Sequence, residues 1–391
     1  MSAQAPGYGS LLKSSAFVAL LVSQVGVVLP STIAGLTLSL LVLRESGSVA
    51  LAGAAMFAPS AAQVVAAAWL MGVADGPRPR LVLTLCHGIV GAACAAQVLD
   101  LALPARFLLL LLSGVAAAVS TGVRLGALTR VVTGSEYMAG RSLLNLASGV
   151  IQLVGFSAGA ALLVVTGTAG SFATAATIAL LGLLGLRAIP RDQPTERNHG
   201  LRSTTSTNRL VLRDRGLRQL LLASWLPAGL VVGGQSLFVP YAGERAGFLF
   251  TCSAVGMIIG DVLFGRAFAQ SAALVRLAQT TRTLAPLALC GLALSPPAPL
   301  AAVLAAVAAL GFGPLLVLQA TLTRSAPAGT VGQLQGVESA GRLAAQAVGA
   351  VLAGLVADAT SLGIAFIVIA MAAAASALAT ASALRPAAHT R

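Results

Sequence analysis

Few side chains in this sequence could do chemistry, and the missing ones exclude whole reaction classes. Lys13 is the one lysine among 24 basic residues; the rest are arginine. No lysine follows a glycine-rich loop, so there is no P-loop nucleotide site. No lysine lies within an apolar stretch, so no interior Schiff base can form. His87, His199 and His389 are too far apart for an H-E-x-x-H zinc site. Cys86, Cys94, Cys252 and Cys290 form no C-x-x-C pair and read as free, buried thiols. Neither a metal nor a cofactor is expected, and the chain does not read as an enzyme.

What remains is a sparse set of polar groups inside apolar stretches. Asp261 could take up a proton or contact a cationic substrate, or it could pair near the cytoplasmic end with Arg266. Arg124 could contact an anion or serve as a gate, or it could snorkel to an interface. Glu338 and Arg342 stand four apart, in the order that favours an ion pair within one helix. They read as a structural pair or an inner gate. His87 reads as a packing residue, with a proton relay as the alternative. Gln24, Asn145, Gln152 and Gln235 carry amides that need partners in an apolar medium, on another helix or on a substrate.

The elements that position these groups follow from composition. The chain has 391 residues, of which 57% are hydrophobic and 9% charged. A soluble domain carries about 25% charged residues. The mean hydropathy is +0.92. A soluble multidomain enzyme and a disordered protein are both excluded. A bilayer's hydrocarbon core, about 30 Å thick, needs roughly 20 apolar residues per crossing helix. Charge-free windows run over 14–43, 46–74, 81–99, 107–123, 142–186, 219–243, 283–323 and 359–384. Two are double length. A turn sequence, Gly167-Thr168-Ala169-Gly170-Ser171, divides 142–186, and Ser295-Pro296-Pro297-Ala298-Pro299 divides 283–323. Two further helices carry charge, near 246–266 and 336–357. The prediction is an all-α integral membrane protein with 12 transmembrane helices.

The net charge of +13 would fit a nucleic-acid surface, but its placement argues otherwise. With both termini in the cytoplasm, only Arg44, Arg106 and Arg245 fall on the outer side, so the arginines read as a topology signal. Residues 189–217 form the one long polar segment and read as a cytoplasmic linker. It divides a six-helix half at 1–188 from another at 218–391. The halves look related: Gly155 and Gly349, in similar small-residue helices, are 194 apart, and Gly72 and Gly265 are 193 apart. Parallel repeats of this kind are a transporter design.

The segment Gly72-Val-Ala-Asp75-Gly-Pro-Arg78-Pro-Arg80 joins the second and third predicted helices. With twelve helices in two sixes and a long central linker, it resembles the major facilitator superfamily, closest to its bacterial drug and metabolite exporters. That resemblance covers the whole chain. It implies that Asp75, with Arg78 and Arg80, forms a cytoplasmic latch, for which Gly72 marks the helix end. It also implies a central cavity beside the first, fourth, seventh and tenth helices, which favours Gln24 and Gln235. Two departures stand out. Gly76 replaces an arginine after Asp75, and Phe156 stands where exporters carry a proline after Gly155. Close packing of small residues is the expected role of Gly155 and Gly159.

The function expected is secondary active transport by alternating access at the plasma membrane. The cargo expected is a small amphipathic or drug-like molecule leaving the cell, driven by a proton or other ion gradient. The partners expected are membrane lipids and a small-molecule substrate, with no nucleic acid, in a monomer. The alternatives are an uptake permease for a small nutrient and, from a different class, a lipid scramblase or membrane enzyme.

Overall fold

A computed structural model describes residues 11–74, 78–132, 136–189, 213–265, 272–326 and 331–384. Among the described residues every regular element is helical. Helix α1 spans Ser15–Ser46, α2 Val49–Ala74, α3 Pro79–Ala96, α4 Leu103–Val131 and α5 Glu136–Gly185. After the central segment come α6 (Arg215–Ser236), α7 (Phe238–Ala242), α8 (Ala246–Gly265) and α9 (Ala272–Leu284). A 3₁₀ stretch, Ala285–Leu294, extends α9. Then follow α10 (Ala298–Ala309), α11 (Pro314–Ser325), α12 (Val331–Ala359) and α13 (Leu362–Ala379).

Local chemistry sets the starts and breaks. Proline occupies the first turn of α3, α4, α10 and α11, where its missing N–H has no intrahelical acceptor to lose. The Asp214 carboxylate caps α6 by accepting from Leu217 N–H at 2.8 Å. Ser361 caps α13 through Ile364 N–H at 3.2 Å. Gly167, at φ 68° and ψ −171°, interrupts α5 within the turn sequence expected there. Ser295, at φ 49°, ends the 3₁₀ stretch at the second expected turn.

Nine helical spans among the described residues are long and apolar enough to cross a membrane. Their outward faces are apolar: on α8 alone Val255, Ile258, Ile259, Val262 and Leu263 are exposed. A water-soluble protein does not present such a continuous apolar skin.

The chain forms two compact units: unit 1 is Met1–Leu41 with Ala58–Asn198, and unit 2 is Val42–Phe57 with His199–Arg391. The predicted linker falls mostly outside the described residues. In unit 1, α5 lies against α1. A methyl group on Gly155 would sit 2.8 Å from Thr32 Cβ, and one on Gly159 would sit 3.3 Å from Leu36 Cδ2. These glycines do the packing that their small size suggests. Phe17, Leu20, Leu83, Val123, Leu128 and Leu144 close one core. In unit 2 the equivalent pair is α6 and α12. A methyl on Gly229 would meet the Ala345 carbonyl at 2.6 Å, and Gly349 lies on the Gly229 carbonyl. Gly155 and Gly349, 194 residues apart, therefore do the same job within their own units.

Candidate functional site

The most developed polar cluster lies in unit 2 on helices α6, α11 and α12. Its centre is Glu338, 1% exposed. Ser224 Oγ on α6 donates to Glu338 Oε1 at 2.6 Å. Arg342 Nε, one turn along α12, donates to the same oxygen at 3.2 Å. Gln319 Nε2 on α11 approaches Oε2 at 3.4 Å. Trp225 Nε1 donates to the Glu338 backbone carbonyl at 2.9 Å. Gly341 makes room for that indole, which lies directly on it. The Arg342 side chain keeps 24% exposure, so one member of the pair still reaches the outside.

The pair expected at Glu338 and Arg342 is therefore present, but it is one edge of a five-residue network. Ser224, Trp225 and Gln319 were not legible as members. They lie more than a hundred, or nineteen, residues from Glu338 along the chain, and a hydroxyl or amide in an apolar helix names no partner. Chemically the network is a buried carboxylate that a proton or a cation could neutralise in place of the guanidinium.

In unit 1, Gln24 is buried, and its amide nitrogen donates to the Leu144 carbonyl at 2.7 Å and to Ser148 Oγ, both on α5. It ties α1 to α5. Leu144 and Glu338 are again 194 residues apart, and in each unit this backbone carbonyl accepts from the unit's first long helix. Asn145 lies on the adjacent position of α5. Gln152, further along that helix, is exposed. Gln235, near the end of α6, is 8% exposed.

Arg124 is 2% exposed on α4. Its Nη1 donates to Ser120 Oγ at 2.7 Å and its Nη2 to Thr121 Oγ1 at 2.9 Å. No carboxylate lies within ion-pair distance of it among the described residues. His87 on α3 is fully buried, with Nδ1–H donating to the Leu83 carbonyl at 2.7 Å. Its Nε2 has no hydrogen-bond partner among the described residues. Gly26 and Gly182 press on the ring from α1 and α5.

Asp261 is half-buried on α8. The preceding Gly260 faces Gly313, and Gly256 lies on the Ala306 carbonyl, so α8 meets α10 backbone to backbone. Arg266 lies outside the described residues. Of the expected latch, Asp75 also lies outside them. Gly72 is in the last turn of α2, Arg78 is exposed just before α3, and Arg80 is half-buried within it.

No protein-family profile matches the chain, and no curated protein matches it. Solved structures do. A POT family transporter in complex with a thioalcohol-conjugated peptide superposes with a TM-score of 0.73 at 11% identity, over 93% of this chain and 94% of that one. A mutant of the nucleoside transporter NupG gives 0.72 at 14% identity, over 94% and 100%. A bacterial homologue of the human lysosomal transporter Spinster, inward-facing and occupied, gives 0.66 at 14% identity, over 97% and 95%. At these identities the likeness is one of fold. With its apolar skin and helical spans, the chain is a multi-pass membrane protein that shares the fold of these major facilitator-type transporters.

Proposed function

We propose that the protein is a secondary active transporter that carries a small amphipathic or drug-like molecule out of the cell by alternating access. On this reading α5 crosses the membrane twice, either side of Gly167, and the chain makes twelve crossings in two six-helix bundles joined by the central linker. Glu338 carries the reading. A buried carboxylate on three helices is expensive, and well-packed apolar residues would serve packing alone as well or better. It supplies an ionisable group where a transporter needs one. Asp261 is the second group that could follow an ion gradient, and Arg124 the one that could meet an anionic cargo. The scarcity of other buried charge favours cargo with little charge of its own.

The test uses everted vesicles from a bacterial host lacking its own exporters. Ethidium and a neutral lipophilic dye serve as probes under an imposed pH gradient. Wild-type protein should accumulate at least one probe, Glu338→Gln should lose most of that accumulation, and Asp261→Asn should uncouple it from the gradient. Full gradient-driven transport in both variants would overturn the coupling roles. Probe movement only in right-side-out vesicles would reverse the direction in favour of uptake.

A further inference from the structure

The corner between α1 and α2 is held by a residue three hundred positions away. The first turn of a helix presents backbone N–H groups with no acceptor inside the helix. At the start of α2, Asp358 supplies acceptors from the end of α12. Its Oδ1 accepts from Val49 N–H at 2.7 Å and its Oδ2 from Ala50 N–H at 3.0 Å. The same Oδ2 accepts from Ser48 Oγ–H at 2.7 Å, and Ser48 Oγ in turn accepts from Leu51 N–H at 3.2 Å. Three successive amides of α2 are thereby satisfied, two of them by one carboxylate. A negative charge at a helix N-terminus is also favourable for the helix dipole.

The backbones fit closely around this cap. Gly354 of α12 lies directly on Ala50, and a methyl on Gly53 would sit 2.9 Å from the Ala350 carbonyl. Two turns of α2 thus lie flush against two turns of α12. The corner Val42–Phe57 belongs to unit 2, yet the chain enters it from unit 1 at Leu41 and returns to unit 1 at Ala58. Asp358 is exposed, so water can replace its hydrogen bonds without leaving a buried charge behind.

We infer that the Asp358 carboxylate is a latch: it pins the α1–α2 corner to α12 in the described state and releases it when that end of the protein opens. The inference rests on the proposed alternating access. By the distribution of arginines this end faces outward, which makes Asp358 part of an outer gate. Release uncaps the first turn of α2, exposes its amides to water and frees the α1–α2 corner from α12. Gly53 and Gly354 allow the flush seating, and the carboxylate adds a polar contact that can be broken and remade each cycle.

The latch is tested without any cargo, so its failure and that of the transport reading are distinguishable. Leu51 and Leu355 are exposed on the two facing helix ends, at 45% and 52%. Nitroxides at Leu51→Cys and Leu355→Cys, in full-length protein with the four native cysteines replaced, report the separation in nanodiscs by pulsed electron resonance. Asp358→Asn should raise the share of the long-distance population about tenfold, the scale of losing charge-assisted hydrogen bonds. It should also speed amide exchange of peptide 48–53. Ser48→Ala, which keeps the carboxylate, should shift both readouts the same way by less, and it serves where Asp358→Asn does not fold. An unchanged distance distribution in a folded variant overturns the latch, whatever the transport assays show. Faster exchange with no change in distance also overturns it, because Asp358 would then be only a helix cap.

Discussion

Glu338 shows what a single buried charge demands of its neighbours. Its Oε1 takes a hydroxyl and a guanidinium while Gln319 covers Oε2, so each partner removed leaves a worse-solvated carboxylate. Breaking a buried pair from one side costs about 3–5 kcal/mol. The partial exposure of Arg342 and the remaining donors bring Arg342→Ala below that range. Glu338→Gln keeps the shape and loses the charge, and should cost about 1–3 kcal/mol. The double variant Glu338→Met with Arg342→Met should unfold near the wild-type temperature in detergent, yet transport nothing. A double variant less stable than either single one would show that the pair is held for stability. The sequence announced this pair because i and i+4 share a helix face. It also announced Gln24, which it could not distinguish from a cavity residue. The difference is a question of who faces whom, and the distance from Gln24 to Leu144 exists only after α1 and α5 have packed.

At the scale of elements, sequence punctuation was read well where it is chemical. Gly167 adopts the positive φ that side chains resist, and Ser295 ends a helix where two prolines follow. The 3₁₀ stretch at Ala285–Leu294 was not legible, since its composition is that of any apolar helix. Nor was the partner of each small residue. Gly349 and Gly88 look alike as helical glycines, but a methyl on Gly349 would strike the Gly229 carbonyl, whereas around Gly88 there is nothing within 4 Å. Gly349→Ala should therefore lower stability by about 1–3 kcal/mol, as overpacking does. Gly88→Ala should leave it unchanged or raise it by up to about 1 kcal/mol through helix propensity. Apparent melting temperatures in one detergent check the contrast. Equal effects would mean that α6 and α12 can separate at no cost. The near end of α2 shows the same limit of adjacency in sequence: the acid that caps it, Asp358, is lent by α12.

For the whole molecule the open quantity is parity, the number of crossings before any given residue. The arginine distribution is a topology argument, and one of its three exceptions has a structural explanation. Arg106 is 6% exposed and donates to the carbonyls of Gln97, Leu99 and Leu101, closing the turn between α3 and α4. Its charge is spent on the protein and says little about which side faces the cytoplasm. The decisive element is α5, whose 50 residues are far longer than one crossing requires. If the chain reverses at Gly167, Arg187 returns to the cytoplasm; if α5 crosses only once, Arg187 and everything after it change sides. Alkaline phosphatase, active only outside the cytoplasm, reads this directly. Fusions after Asp100 and after Ser295 should be active, and a fusion after Arg187 inactive, with green fluorescent protein giving the reverse pattern. An active fusion at Arg187 beside an inactive one at Ser295 would remove one crossing. It would also place the central arginines outside and set Asp358 across the membrane from Val49, an arrangement incompatible with the hydrogen bond between them.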